Sequence, residues 1–312
     1  MQYKQLGKRG PLVSTIGFGA WAIGGMHWGK TDDEVSLQAL RTAIDQGVTL
    51  IDTADVYGFG HSEKLIAKLI KERGNENLVL ATKAGSDFYH ADPADDDGYG
   101  AITPNYSKDY LISAAEKSLK RLNVEALDIL QLHSPELSIL ERDEPWLALE
   151  KLKKDGKIKH AGLSIKSFEE SKQAHLLDQH YDILDCIQVR YNLLEREAED
   201  ILFPKALEHG IGVIVRIPLL FGLLTGKFDR NSSFGKDDHR RMNLSAEKLN
   251  NYLGELELQE KLFKQYKDQS KTQVSLRFAI THPACQTAIP GAKTTQQVQE
   301  NCSSSDLGPI QN

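Results

Sequence analysis

The sequence predicts an α/β fold, a (β/α)8 barrel of the TIM type, as a single domain over residues 1–312 with long loops at its C-terminal face. Two observations carry this. Short apolar or β-branched runs alternate with longer amphipathic stretches along almost the whole chain, the rhythm of βαβ units around a parallel sheet. Eight such runs occur, and no break in composition marks a linker. A length of 312 residues would also admit two small domains, but it falls where one such barrel with insertions falls.

The expected strands are Thr15 to Gly19, Thr49 to Thr53, Leu78 to Thr82, Asp128 to His133, His160 to Ser164, Cys186 to Arg190, Gly212 to Ile217 and Gln286 to Pro290. Helical spacing separates them. Leu37, Leu40 and Ile44 share one face, as do Leu65, Ile66, Leu69 and Ile70, and then Leu111, Ala115, Leu119 and Leu122. Gly47 and Gly156 are plausible helix stops. A doubly wound nucleotide-binding sheet would want G-x-G-x-x-G directly after a strand, and Gly17-Phe18-Gly19 is not followed by a third glycine at that spacing.

With 40% hydrophobic and 26% charged residues, the chain can bury a large core, which excludes disorder as its main state. The formal charge of −6 offers no basic footprint for nucleic acid or anionic membrane, so any bound anion needs a local site. Met1 to Lys8 is polar and opens straight into the globular pattern, without a visible secretory or transit signal, and no apolar run approaches a membrane span. Cys186, Cys285 and Cys302 form no metal spacing, and read as reduced thiols in a cytoplasmic protein.

Two connections are too long for simple loops: about Ala84 to Ser107, carrying Tyr89, Asp95-Asp96-Asp97-Gly98, Tyr99 and Tyr106, and Leu219 to about Leu249. Both follow strands and should overlie the mouth of the barrel, as candidate substrate walls and lids. For the acidic patch, a solvated loop tip is the plainer reading.

Polar residues stand at the ends of three expected strands: Asp52, Lys83 and His133, with Tyr57 in the turn after Asp52. Taken singly, each has an ordinary structural reading, as a helix cap, a solvated lysine or a satisfied histidine. Four converging on one barrel mouth form a chemical set. A tyrosine is a poor proton donor unless a cation stabilises its phenolate, and Lys83 can be that cation, with Asp52 keeping it charged. His133 can align a substrate oxygen with Tyr57. An acid for a developing alkoxide requires a hydride donor.

The segments Asp52-Thr53-Ala54-Asp55-Val56-Tyr57-Gly58 through His61-Ser62-Glu63, Ala81-Thr82-Lys83, and Ser118-Leu119-Lys120-Arg121-Leu122 through Asp128 to His133 resemble the aldo-keto reductases, in their bacterial type. The resemblance runs from Leu6-Gly7 to Asn301. It implies a catalytic tetrad of Asp52, Tyr57, Lys83 and His133, and a nicotinamide cofactor lying extended across the barrel mouth. It further implies Ser164 and Gln188 at the carboxamide; Arg216, Pro218, Leu219, Gly222, Leu224, Gly226 and Lys227 along the ring and pyrophosphate; Gly291, Lys293, Thr294, Gln297, Glu300 and Asn301 around the adenosine; and Trp21 and Phe88 in the substrate pocket.

Three departures from that pattern stand out. Ile165 replaces an asparagine that follows the serine of the fifth strand in many members, and cannot hydrogen-bond a carboxamide. Arg216 replaces an aromatic ring, although a guanidinium can also stack. The sequence ends soon after Asn301, which implies a more open pocket.

The resulting expectation is an NADPH-dependent oxidoreductase acting on the carbonyl of a small molecule, or in reverse on an alcohol, without nucleic-acid or membrane partners. The alternative is a nucleotide-binding regulatory subunit without significant turnover. A metal-dependent barrel has little support, as the histidines show no clustered ligand spacing with carboxylates apart from the His90 to Asp97 loop. NADPH is expected over NADH, with some use of NADH, because Lys293, Thr294 and the start of the following helix can hold a 2′-phosphate while Gln297 stands where an arginine is often found. Substrate identity, direction and oligomeric state have no signature in the sequence.

Overall fold

A computed structural model describes residues 1–25, 28, 31–89 and 102–311. The acidic patch Asp95-Asp96-Asp97-Gly98, Tyr99 and the stretch from His90 to Asp97 lie outside the described residues. The chain opens with an antiparallel hairpin, β1 (Tyr3–Gln5) and β2 (Leu12–Ser14). The barrel strands are β3 (Phe18–Gly19), β4 (Leu50–Asp52), β5 (Val79–Ala84), β8 (Leu127–His133), β9 (Ile158–Ser164), β10 (Cys186–Arg190), β11 (Gly212–Arg216) and β12 (Cys285–Ala288). Between β5 and β8 a second small hairpin, β6 (Ser86–Asp87) and β7 (Thr103–Pro104), occupies part of the first long connection.

The eight barrel strands pair in parallel in chain order. The first and last meet through parallel bridges, Ile16 with Ala288 and Gly19 with Gly291, so the sheet closes on itself. The expected strands all form, with ends displaced by a few residues. The helices Asp33–Asp45, His61–Arg73 and Lys108–Leu122 bury the apolar faces their spacing predicts. The stretch after β11 is not an open loop: it carries a 3-10 turn, Leu220–Thr225, a helical turn, Arg240–Asn243, and the start of the helix Ala246–Leu258.

A two-residue alternation along the strands decides what the barrel holds. Leu50, Val79, Ala81, Ile129, Cys186 and Ile214 face inward and cluster with Leu6 and Val13 of the opening hairpin, which seal the floor. The next inward positions, moving up the strands, are Asp52, Lys83, Gln131, Ser164 and Gln188, all polar and buried. The intervening residues, among them Ile51, Leu80, Leu130, Leu163, Ile187 and Val215, face the helices in the large outer core. At Gly162 a side chain would collide inside the barrel, since a Cβ there would sit 2.8 Å from Gln131 Cγ. Cys186, Cys285 and Cys302 are buried and unpaired. Among the described residues, no helix is long and apolar enough to cross a membrane.

Candidate active site

The alternation delivers a buried ion pair to the upper end of the barrel. Lys83 Nζ donates to Asp52 Oδ2 at 2.6 Å and to the carbonyl of Thr53 at 2.8 Å. The other Asp52 oxygen accepts from Gln188 Nε2 at 2.6 Å and Gln131 Nε2 at 3.2 Å. A buried pair is stable only when its remaining valences are satisfied, and here neutral amides satisfy them. Burial alone would pull the Lys83 ammonium down. Asp52 and the Tyr57 phenol outweigh it, and the group is held above the ordinary lysine value.

Tyr57 projects from the turn after β4, with Lys83 Nζ 5.2 Å from its ring centroid. The turn depends on Gly58, at φ 61°, where a Cβ would approach the Gly24 carbonyl oxygen to 2.1 Å. Burial raises the phenol above its usual value near 10, and Lys83 opposes the rise without cancelling it. The His133 ring meets Tyr57 edge-on at 5.9 Å between centroids. Burial, Lys83 and Arg216 together push the imidazole well below its ordinary range, so it is neutral at physiological pH. Its Nδ1 is buried with no partner among the described residues, while Tyr106 fixes the strand end by donating to the His133 carbonyl at 2.7 Å.

These groups stand in a cavity of about 830 Å³ that runs across the barrel mouth to the start of the helix Thr295–Leu307. Its wall includes Trp21, Asp52, Tyr57, Lys83, His133, Ser164, Gln188, Arg216, Pro218, Leu219, Gly222, Lys227, Gly291, Lys293, Gln297, Glu300 and Asn301. Ser134, Ile217 and Phe221 on the wall carry positive φ angles of 54°, 56° and 56°. Such conformations are costly for residues with a Cβ and collect where a surrounding structure enforces them.

Four expected contacts fall elsewhere. Leu224 is fully buried in an apolar cluster with Leu220, Leu249 and Leu256. Gly226 is the left-handed stop of the 3-10 turn and backs onto Lys271. Thr294 accepts from Gln297 N as a helix cap. Phe88 stacks between Phe59 and Tyr89, at 5.2 and 4.3 Å, behind the cavity wall. Ile165 is also corrected. Following inward Ser164, it faces outward and is fully buried in the helix-side core, so it is not a missing hydrogen bond in the cavity.

The wall also carries residues the sequence reading did not single out: Trp28, Ser86, Ser134, Ser167, Arg190, Arg240 and Asn243. Arg190 continues the inward series Cys186, Gln188 and was legible from that parity. Arg240 was not legible, because only the folding of the segment after β11 brings it beside Lys227 and Lys293. Those two ammonium groups are lowered by burial first and then by Arg240, so the three cations share one region. Asp238 pairs with Arg240, whose Nε donates to its carboxylate at 2.8 Å. Trp28 bridges antiparallel to Asp238, and Lys293 Nζ donates to the Trp28 carbonyl. Among the described residues, His, Cys, Asp and Glu form no group of three that could hold a metal.

Residues 15–311 match the model of the aldo/keto reductase family. The chain belongs to that family. It is 33% identical to the aldo-keto reductase YhdN of Bacillus subtilis over 302 residues, 96% of this chain and 87% of the relative. The solved structure of a glycerol dehydrogenase from Gluconobacter oxydans superposes with a TM-score of 0.80 at 32% identity, over 96% of this chain and 89% of that one. A protein of Arabidopsis thaliana named "probable voltage-gated potassium channel subunit beta" is 28% identical over 323 residues, 99% of this chain and 93% of the relative. As an aldo/keto reductase, the protein is an NAD(P)H-dependent oxidoreductase.

Proposed function

We propose that this aldo/keto reductase reduces the carbonyl of a small aldehyde or ketone with NADPH, or oxidises the corresponding alcohol, using Tyr57 as the general acid. The observation that carries the reading is one cavity with two chemically distinct ends. Tyr57, Lys83, Asp52 and His133 converge at one, and Lys227, Arg240 and Lys293 gather at the other.

The residues fit a nicotinamide dinucleotide. Gln188 commits its amide nitrogen to Asp52, so its carbonyl oxygen is left to accept a carboxamide N–H. Ser164, hydrogen-bonded to Ser134 at 3.1 Å, stands on the adjacent strand. The cationic end suits phosphates, and a thirteen-residue helix, Thr295–Leu307, begins beside it. Bound there, the dinucleotide supplies a hydride to the carbonyl carbon.

The chain's own groups do the proton chemistry. Tyr57, held protonated by burial, gives its proton to the carbonyl oxygen. Lys83 then stabilises the phenolate, and Asp52 keeps Lys83 charged and in place. Neutral His133 orients the substrate oxygen. Trp21, stacked on Tyr57 at 6.1 Å between centroids, walls the substrate side.

Tyr57→Phe keeps the ring and removes the donor. Carbonyl reduction should fall by about two to four orders of magnitude, the usual worth of a general acid, while NADPH affinity measured by fluorescence titration stays nearly unchanged. A variant keeping more than about half of wild-type turnover contradicts the assignment. The alternative, a nucleotide-binding regulatory subunit, draws on the similarity to the channel-subunit relative. It requires tight NADPH binding with no turnover in the wild type, a result the same two measurements would reveal.

A further inference from the structure

Strand parity aims two guanidinium groups into the cavity from directly opposed positions, Arg190 ending β10 and Arg216 ending β11. Like charges facing each other across neighbouring strands repel unless something neutralises them. Arg190 is neutralised: its Nε donates to Glu195 Oε2 at 2.6 Å, its second nitrogen donates to Glu195 Oε1, and Asn192 and Tyr252 complete the carboxylate's shell. Arg216 is not. It donates to the Ile165 carbonyl at 3.0 Å and the Ser167 hydroxyl at 2.8 Å, both neutral. Its Nε is buried with no partner, and among the described residues it forms no ion pair. Glu170 and Glu195 act on it only through space.

Of the charged groups around it, Arg190 is paired with Glu195, and Glu170 acts on Arg216 only from a distance. Asp52 and Lys83 cancel, Tyr57 is a neutral phenol, and His133 is a neutral imidazole. Arg216 therefore sets the local field, and its charge reaches both Tyr57 and His133.

We infer that Arg216 makes this cavity selective for the oxidation state of its cofactor, holding the neutral dihydronicotinamide more tightly than the cationic nicotinamide. The inference rests on the nicotinamide reading given above. In carbonyl reduction one hydride, two electrons with one hydrogen nucleus, leaves the dihydronicotinamide for the carbonyl carbon. The Tyr57 proton goes to the carbonyl oxygen, and the C=O π bond becomes a C–H and an O–H bond. The ring gains one positive charge in the process. That charge forms beside a guanidinium with no carboxylate in contact with it among the described residues, inside a site where charges are poorly screened. Arg216 consequently favours the reduced ring, speeds departure of the oxidised form after carbonyl reduction, and eases hydride capture in the reverse direction.

The test is equilibrium binding of NADPH and NADP+ to the wild type and to Arg216→Gln, by calorimetry or protein fluorescence at one salt concentration. The wild type should bind NADPH at least about tenfold more tightly than NADP+. Arg216→Gln should bring the ratio close to one, mainly by tightening NADP+. Arg216→Lys, which keeps the charge and alters the shape, should retain the preference, and supplies the comparison if the glutamine variant folds poorly. Equal affinities in the wild type overturn the inference and leave the nicotinamide reading intact. Equal weakening of both forms in Arg216→Gln also overturns it, since that is the signature of a phosphate contact. A wild type that binds neither form overturns the nicotinamide reading itself.

Discussion

Asp55 shows how far one buried residue can depart from ordinary behaviour. It lies between Asp52 and Tyr57, fully buried, with no hydrogen-bond partner for either carboxylate oxygen among the described residues. Nearby Glu63 is already engaged by Thr82 and Arg121. Burial first, and then Glu63, push the Asp55 carboxyl well above the usual range. A carboxyl raised in the folded state contributes stability that is complete below its unfolded value near 3.9. That contribution drains away as pH rises toward and through the folded value. Asp55→Asn cannot ionise. The melting temperature of the variant should therefore gain on the wild type as pH rises from about 4 toward the raised folded value. Parallel melting curves across that range would show that Asp55 is not held as a neutral acid. At this scale the sequence was readable wherever a polar side chain ends an apolar strand, as at Asp52, Lys83 and His133. Ile165 misled because its meaning depends on which face of β9 it takes, and sequence position beside Ser164 does not reveal that it turns outward.

Among the elements, the proposed preference for NADPH over NADH rests on the loops at the barrel mouth. Lys293, after β12, has its ammonium on the Trp28 carbonyl and its amide on Gln297 Oε1 at 2.7 Å, so it is not a freely solvated lysine. Thr294 accepts from Gln297 N as a helix cap, and Lys293, Lys227 and Arg240 are the cations proposed to meet phosphate. NADPH differs from NADH only by a phosphate on the adenosine ribose. Lys293→Met removes one charge-assisted contact worth about 1.5 to 3 kcal/mol, so the KM for NADPH should rise roughly tenfold or more while that for NADH barely moves. Equal changes for both cofactors would place the 2′-phosphate elsewhere. The loop after β12 could be read from the sequence because it is short and leads straight into a helix. The segment after β11 could not, since the 3-10 turn Leu220–Thr225 and the helical turn Arg240–Asn243 are set by packing against the mouth.

Across the whole molecule, one alternation builds a barrel that is apolar below and polar above. Leu6 and Val13 close the floor, and the ion pair of Asp52 and Lys83 lies at the base of the cavity. The barrel was legible because eight apolar runs, each followed by an amphipathic segment, admit few other arrangements. The opening hairpin was not, since strands of three residues such as Tyr3–Gln5 are too short to show a period. The cavity itself is a property of the closed barrel, and only closure brings the loops after β3, β11 and β12 together. The proposed passage of a hydride at this mouth to a carbonyl carbon, with Tyr57 supplying the proton, is open to direct measurement. A single turnover with NADPH deuterated at the transferable C4 position, an excess of enzyme and a small aldehyde tests it most directly. Deuterium should arrive at the former carbonyl carbon in the wild type and not, over the same interval, in Tyr57→Phe. Wild-type enzyme that binds the labelled cofactor and leaves its deuterium in place, or a Tyr57→Phe variant that transfers it at the wild-type rate, would contradict the account.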